Sequence, residues 1–594
     1  MQLNLDNLNL PFKFNPLVLM NAALDADSYK LSHKFMEPEG TERIYDNFTP
    51  RTDKFFKQRF PEFDGKVVVF GIQVFILNQF MTRWKVGFFD RPKTEVLEEI
   101  REILFPYLGM DSKQLQHFAE LHDLGYLPLR VKSLPEGTLC PIGVPMLTIE
   151  NTDPRFSWLP NYCESVFSAE VWKAATIATT AREFRRLANK WWDKTVVDHT
   201  FKKFAFHDFS FRGQADRWSS AVCGAGTLLS FNGTDNIPAV VLARAALGAG
   251  SDVASSVPAS EHSVTTLGIN HYGANDQELG EYLTLERLLT NVFPTGLLSY
   301  VSDSYDYWRV LTSVLPRLKH ILEKREGKLV IRPDSGDPVD IVVGTSRHVI
   351  ELEELDALYE IMLNAEEDDR NTYIVKGTDI YVELSDTLFD DRREYGSDQI
   401  VKSFGSVESI LQFNYLSQVA LNTDSPEWKG SIQVLWELFG GTVNDKGFKE
   451  LPPYIGLIYG DGITFERAEQ ILEGLAAKGF AASNVVFGVG SYSYAGGTRD
   501  DLGFAIKATN ATVNGQDIAI FKDPKTDDGS KKSAKGLLKV DYDAKGNIKL
   551  FNNVSREEEK GGLLEVIFED GEIKNFSTFP QMQERLMKTL ETGW

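Results

Sequence analysis

The chain has 594 residues, 42% of them hydrophobic and 12% aromatic, and no stretch approaches the ~18 consecutive apolar residues of a membrane span, so a folded, soluble protein is expected. Its 63 basic against 85 acidic side chains give a net charge of -22, which opposes nucleic-acid or anionic-membrane partners. Cys140, Cys163 and Cys223 are too few and too scattered for a disulfide framework or a zinc knuckle, so a reducing cytoplasm and no structural metal are expected.

The first twenty residues set Asp6, Lys13 and Pro16 among alternating Asn and Leu, and lack the basic start and apolar block of an export signal. Residues 1–165 mix strand-like runs (KVVVFGIQVFI, PLRVKSLPEGTLCPIGVPMLTIE) with a helical stretch near 94–120, and their Pro and Gly spacing predicts an α+β domain with antiparallel turns. From about 165 to 200 apolar residues recur at helical intervals, predicting one long helix.

Residues 166–504 read as a β/α barrel core. Five apolar runs each end abruptly in an Asp/Gly/Ser/Arg cluster: FAFHDFSFRG (204–213), LSYVSDS (298–304), KLVIRPDSG (328–336), YIGLIYGDG (454–462) and NVVFGVGS (484–491). Runs without strict alternation suit strands buried on both faces, and helices between them make the strands parallel, so the polar loops emerge on one side. In a β/α barrel that side carries the chemistry.

Residues 464–479 show the intervening unit. Thr464 can cap, Glu466 complements the dipole, and Ala468, Ile471, Leu472, Leu475 and Ala476 share one face before Gly479. Between Ile341 and Pro452 the spacing breaks, with more than one hundred residues separating RPDSG from the next clear strand, so an inserted subdomain is expected at about 355–440. Part of the acidic excess lies at its start, where residues 351–370 hold nine acidic side chains against Arg370. After 505 short alternating segments with Gly turns, then an amphipathic stretch near 580–590, predict strands and a helix that return to the N-terminal domain. The Lys-rich KDPKTDDGSKKSAKG (522–536) reads as a solvated turn, with a phosphate-gripping loop as the alternative.

Taken from the residues alone, the loop set suits a phosphate and sugar site. Gly-rich turns after strands expose N–H groups, Arg offers forked donors, and Asp can hold ribose hydroxyls or Mg2+. Each loop alone is weak: GDG can be a mere turn, and FGVGS lacks the third Gly of a dinucleotide fingerprint. Their joint occurrence at strand ends is the stronger signal.

The set DADSYKLSH (25–33), FHDFSFRG (206–213), FNGTD (231–235), SVPASEHS (256–263), VSDSYD (301–306), IRPDSGDP (331–338), LPPY with YGDG (451–462) and FGVGS with TRDDL (487–502), in that order, resembles the nicotinamide phosphoribosyltransferases, which are type II phosphoribosyltransferases. The resemblance covers nearly the whole chain apart from the insertion. It implies an α/β fold, an irregular β/α barrel plus an α+β domain made by the two chain ends. It also implies a reaction in which nicotinamide attacks C1 of phosphoribosyl pyrophosphate in the presence of Mg2+, releasing pyrophosphate and forming nicotinamide mononucleotide for NAD salvage.

By the same resemblance Phe209 and Tyr29 sandwich the pyridine, with Tyr29 supplied by the second subunit of a homodimer, and Arg212 contacts a phosphate-bearing group. Asp235 accepts the amide N–H of nicotinamide and repels the carboxylate of nicotinate, where nicotinate-using relatives carry a small neutral residue. His262 corresponds to a histidine phosphorylated by ATP, with Glu261 beside it. Arg332, Asp334 and Asp303 match diphosphate and ribose contacts, and Gly460 and Asp461 the ribose or 5'-phosphate end. Gly490, Ser491 and Arg499 match a phosphate-binding turn and its following Arg, and Arg51 an arginine that reaches the neighbouring site. One departure is Ser491, which carries a Cβ where the family has a run of glycines. Rival readings are a nicotinate phosphoribosyltransferase, a non-catalytic scaffold that binds pyridine nucleotides, and another phosphosugar barrel enzyme.

Overall fold

A computed structural model describes residues 16–109, 115–344, 348–350, 373–375, 381–384, 416–418, 424–521 and 534–591. The chain divides into two compact units. The first comprises Met1–Ala188, Phe206–Ser256 and Val489–Trp594, and the second Asn189–Ala205 and Val257–Gly488. The insertion expected at 355–440 and the Lys-rich loop at 522–536 fall largely outside the described residues. Among the described residues no helix is long and apolar enough to cross a membrane.

The first unit is built on a seven-stranded antiparallel sheet. Its order is Gln516–Ala519, Ala505–Val513, Thr41–Thr49, Leu147–Asn151, Leu129–Ser133, Glu565–Glu569 and Glu572–Ile573. Strands from both chain ends therefore share one sheet, with the three N-terminal strands between two C-terminal pairs. The helix Glu164–Thr195 buries Val171, Ala174 and Ala178, and the C-terminal helix Phe579–Glu591 adds Phe579, Met582 and Leu586 to the same core. Small residues on the long helix let its neighbours approach closely.

One apolar run departs from its expected form. KVVVFGIQVFI is strand only over Lys66–Val68; after Gly71, at φ +98°, it becomes the helix Ile72–Phe75, which continues to Phe89. Only Gly takes that φ without strain. The buried Glu136 carboxylate accepts the Gln73 N–H at 2.8 Å, satisfying a donor at the helix start. Short apolar runs do not distinguish a buried strand from a buried helix, so the tertiary cap decides. The helical stretch near 94–120 is likewise two helices, Lys93–Leu108 and Gln116–Leu124, the first stopped by Gly109 at φ +64°.

The second unit holds a parallel sheet in the order Val485–Val489, Ile455–Tyr459, Gly327–Arg332 and Gly296–Val301. Leu329, Ile331, Leu457, Tyr459, Phe487 and Tyr300 are essentially fully buried. Helix Phe465–Ala477 fills the last crossover. Thr464 caps it by accepting the Arg467 N–H at 3.1 Å, and Ala468, Ile471, Leu472 and Leu475 are its buried face. The parallel direction puts the SDS, PDSG and GDG loops at the carboxyl ends of neighbouring strands, which brings the charged residues of this unit together.

Candidate active site

In the first unit the strand Phe206–Asp208 stops at a buried carboxylate. The Asp208 carboxylate accepts the Ser210 N–H at 2.8 Å and the Asn236 amide at 3.4 Å. Burial raises its pKa, opposed by the Ser210 and Asn236 hydrogen bonds. The Asp208 backbone continues the link: its N–H donates to the Gly233 carbonyl, and its own carbonyl accepts the Asp235 N–H, at 3.0 and 3.1 Å. Phe209, half-buried, and Asp235, exposed, are therefore held on adjoining turns.

Asp235 Oδ1 is approached by two donors, His207 Nε2 at 2.9 Å and the Ser256 hydroxyl at 2.6 Å. The His207 ring also lies 5.1 Å from the Phe209 ring, centroid to centroid. Gly233 makes room for that imidazole, since a Cβ there would meet His207 Nδ1 at 2.6 Å. The FNGTD glycine thus has a packing reason. His207 and Ser256 were not singled out from the sequence, although both lie inside quoted motifs. Only their pairing with Asp235, 28 and 21 residues away, marks them.

Arg212 is exposed on the turn Phe211–Gly213. Gly490 precedes the short helix Ser491–Tyr494, and Thr498 and Asp501 form a capping box around the turn Arg499–Asp501. Arg51 donates from Nε to the Gly503 carbonyl at 2.9 Å; burial and then the Arg499 charge lower its pKa. Two arginines close enough to repel define an anion-seeking locus. Tyr29 is 56% exposed, and its described ring contacts are with His33, at 5.3 Å, and Lys30.

In the second unit Asp303 is the hub. Its side chain is only 5% exposed; Oδ1 lies 3.0 Å from His262 Nε2, and Oδ2 accepts the Asp334 N–H at 3.1 Å and the Ser335 hydroxyl at 2.6 Å. His262, first residue of the helix His262–Gly273, is half exposed. Glu261 accepts the Ser263 hydroxyl. Arg332 pairs with Asp334 at 3.5 Å. Tyr459 donates to the Ser335 and Gly336 carbonyls at 3.1 and 2.7 Å. Its phenol pKa is raised by burial first, then by the charges of Asp461, Asp337, Asp334 and Asp303, so these carboxylates gather around one strand end. Gly460 and Asp461 follow that strand directly. Behind it, Tyr300 donates to Glu281 at 3.0 Å, and burial raises the Glu281 carboxyl to about 7.

Carboxylates and arginines on the carboxyl-end loops of a parallel sheet are the arrangement of an α/β enzyme that handles polar, phosphate-bearing ligands. Residues 204–558 match the profile of the nicotinate phosphoribosyltransferase (NAPRTase) family. The chain is 38% identical over 589 residues to a nicotinamide phosphoribosyltransferase of Acinetobacter baylyi, covering 98% of this chain and 99% of that one. It is 32% identical over 516 residues to a nicotinamide phosphoribosyltransferase of Mycoplasma pneumoniae, covering 85% and 92%. The crystal structure of human nicotinic acid phosphoribosyltransferase aligns over 95% of this chain and 93% of that one, with a TM-score of 0.49 and 14% identity. The chain belongs to the nicotinate phosphoribosyltransferase family. It is a phosphoribosyltransferase, and its mixed α/β fold with a parallel sheet fits the type II class.

Proposed function

We propose that the protein transfers the phosphoribosyl group of phosphoribosyl pyrophosphate to nicotinamide, giving nicotinamide mononucleotide and pyrophosphate in NAD salvage. The observation that carries the choice of nicotinamide is Asp235. It accepts from His207 and Ser256 on one oxygen, and the His207 ring lies against Phe209. An ionised carboxylate accepts an amide N–H and repels a nicotinate carboxylate. The relatives at 38% and 32% identity carry the same substrate in their names.

Displacement at the anomeric carbon passes through a sugar with cation character. The protein must orient the pyridine nitrogen, hold the leaving pyrophosphate and exclude water. Phe209 offers one ring face to the pyridine, and Tyr29 of a second copy in a homodimer offers the other. Arg212 contacts the phosphate-bearing group. Asp334 and Asp303 hold the ribose, Arg332 the diphosphate, and Gly460 with Asp461 the 5'-phosphate end. Gly490, Ser491, Arg499 and Arg51 form an anion-binding turn.

Mg2+ prefers one or two carboxylates together with substrate phosphates. Among the described residues no three metal-ligating side chains converge by themselves, and Asp303 with Asp334, whose N–H the Asp303 carboxylate accepts, would offer carboxylates to a cation that arrives on the substrate. The ion would neutralise developing charge on pyrophosphate. ATP acts as activating co-substrate at His262. The imidazole nitrogen bonds to the γ-phosphorus as the bond to the bridging oxygen breaks, and ADP leaves. Asp303 holds Nε2, which orients Nδ1 for that role. The setting is the cytoplasm.

The test is product formation by purified protein with Mg2+ and phosphoribosyl pyrophosphate, offered nicotinamide or nicotinate separately. Nicotinamide mononucleotide alone supports the reading; nicotinate mononucleotide overturns the specificity, and no mononucleotide from either base overturns the activity.

A further inference from the structure

We infer that Ser260 is a positioning residue whose hydroxyl sets His262 opposite Asp303. The segment before His262 runs beside the strand Gly296–Val301 as a short parallel ladder. Ser299 donates its N–H to the Pro258 carbonyl at 2.9 Å, Ser260 returns its N–H to the Ser299 carbonyl at 3.0 Å, and Ala259 bridges Ser299. The next donor along the strand, the Val301 N–H, needs one more acceptor. The chain cannot supply a carbonyl, because it leaves the ladder to begin the helix at His262.

The Ser260 side chain fills that gap, accepting the Val301 N–H at 2.9 Å. It also accepts the Thr265 hydroxyl at 3.0 Å, from the first turn of the His262 helix. Thr265 is 1% exposed and Ser260 9%. One buried oxygen thus ties the start of the helix that carries His262 to the strand two residues before Asp303. Alanine at 260 leaves the Val301 N–H and the Thr265 hydroxyl to find other acceptors in a buried place. Displacement of a reacting group is costly, since a shift near 1 Å can cost about a hundredfold in rate.

The inference deepens the phosphohistidine reading and rests on it for its kinetic consequence, so its test has a readout that does not require ATP. The rate at which diethyl pyrocarbonate modifies His262, followed by peptide mass spectrometry, reports how firmly Asp303 holds the imidazole. Ser260→Ala and Thr265→Val should react severalfold faster than the native protein, and Ser260→Thr, which keeps the hydroxyl, should restore the native rate. Equal rates in native protein and Ser260→Ala overturn the positioning role, as does an acceleration that Ser260→Thr fails to reverse.

The second readout is acid-labile label from γ-labelled ATP. It should fall about tenfold in Ser260→Ala, and vanish in His262→Ala. Label that persists in His262→Ala sinks the phosphohistidine reading while the modification rates still decide the positioning. Label lost in His262→Ala but undiminished in Ser260→Ala overturns the positioning alone.

Discussion

Ser491 occupies the space that a side chain at Gly213 would need: a Cβ on Gly213 would stand 2.1 Å from the Ser491 Cβ and 2.0 Å from its Oγ. Ser491 is accommodated by the glycine that follows Arg212. Both belong to loops assigned here to phosphate-bearing groups, so the pair couples the two turns sterically.

Gly213→Ala should therefore destabilise the protein by about 1–3 kcal/mol through overpacking. The same change in a Ser491→Gly background should cost markedly less. A double-mutant cycle from denaturant unfolding reads the difference, and additivity within about 0.5 kcal/mol would show that the two positions do not meet.

Asp235 is expected to govern the choice of base. Asp235→Asn should lower kcat/KM for nicotinamide by about 10- to 100-fold, the worth of a charged hydrogen bond. It should also raise relative use of nicotinate, with KM for phosphoribosyl pyrophosphate little changed. Ser256→Ala should act in the same direction more weakly, because it removes a donor that holds the carboxylate while His207 remains. Steady-state kinetics with both bases checks this, and equal losses toward both substrates would count against Asp235 as the selector.

Asp46 is fully buried, and neither carboxylate oxygen has a hydrogen-bond partner among the described residues. Burial, with the Glu164 charge adding to it and Lys30 opposing it, raises its pKa from 3.8 to about 7. A carboxyl whose folded pKa lies above its unfolded one favours folding while protonated and loses that advantage as pH rises from about 4 to 7. Asp46→Asn should therefore stabilise the protein at pH 8 relative to the native chain, with the gain shrinking as the pH falls below 7. At about 1.4 kcal/mol per pH unit the upper figure is about 4 kcal/mol. Unfolding free energies from pH 5 to 8 provide the measurement, and a gain independent of pH would rule out titration of Asp46 as its source.

Thr464 caps the helix Phe465–Ala477 through the Arg467 N–H. Thr464→Ala should cost about 1 kcal/mol of stability. Thermal unfolding checks it, and an unchanged midpoint would show that another group takes over the cap.

The sequence by itself determined whatever depends on neighbours along the chain. The Thr464 cap and the apolar face of the next helix repeat with the period of a helix. The strands ending at Val301, Arg332, Tyr459 and Val489 are short β-rich runs stopped by turn residues, and the motif order alone pointed to the family. The apolar run from Lys66 marks the limit of such reading, because burial all round erases the period that separates helix from strand. The tertiary structure decided who meets whom. His207 and Ser256 on Asp235, Ser335 on Asp303, Ser260 beneath Val301 and Ser491 over Gly213 are separated by 21 to 278 residues. Such pairs depend on strand register and on the direction in which each turn leaves its strand. Local periodicity carries neither, since it reports which face a side chain takes and not what the fold places opposite it.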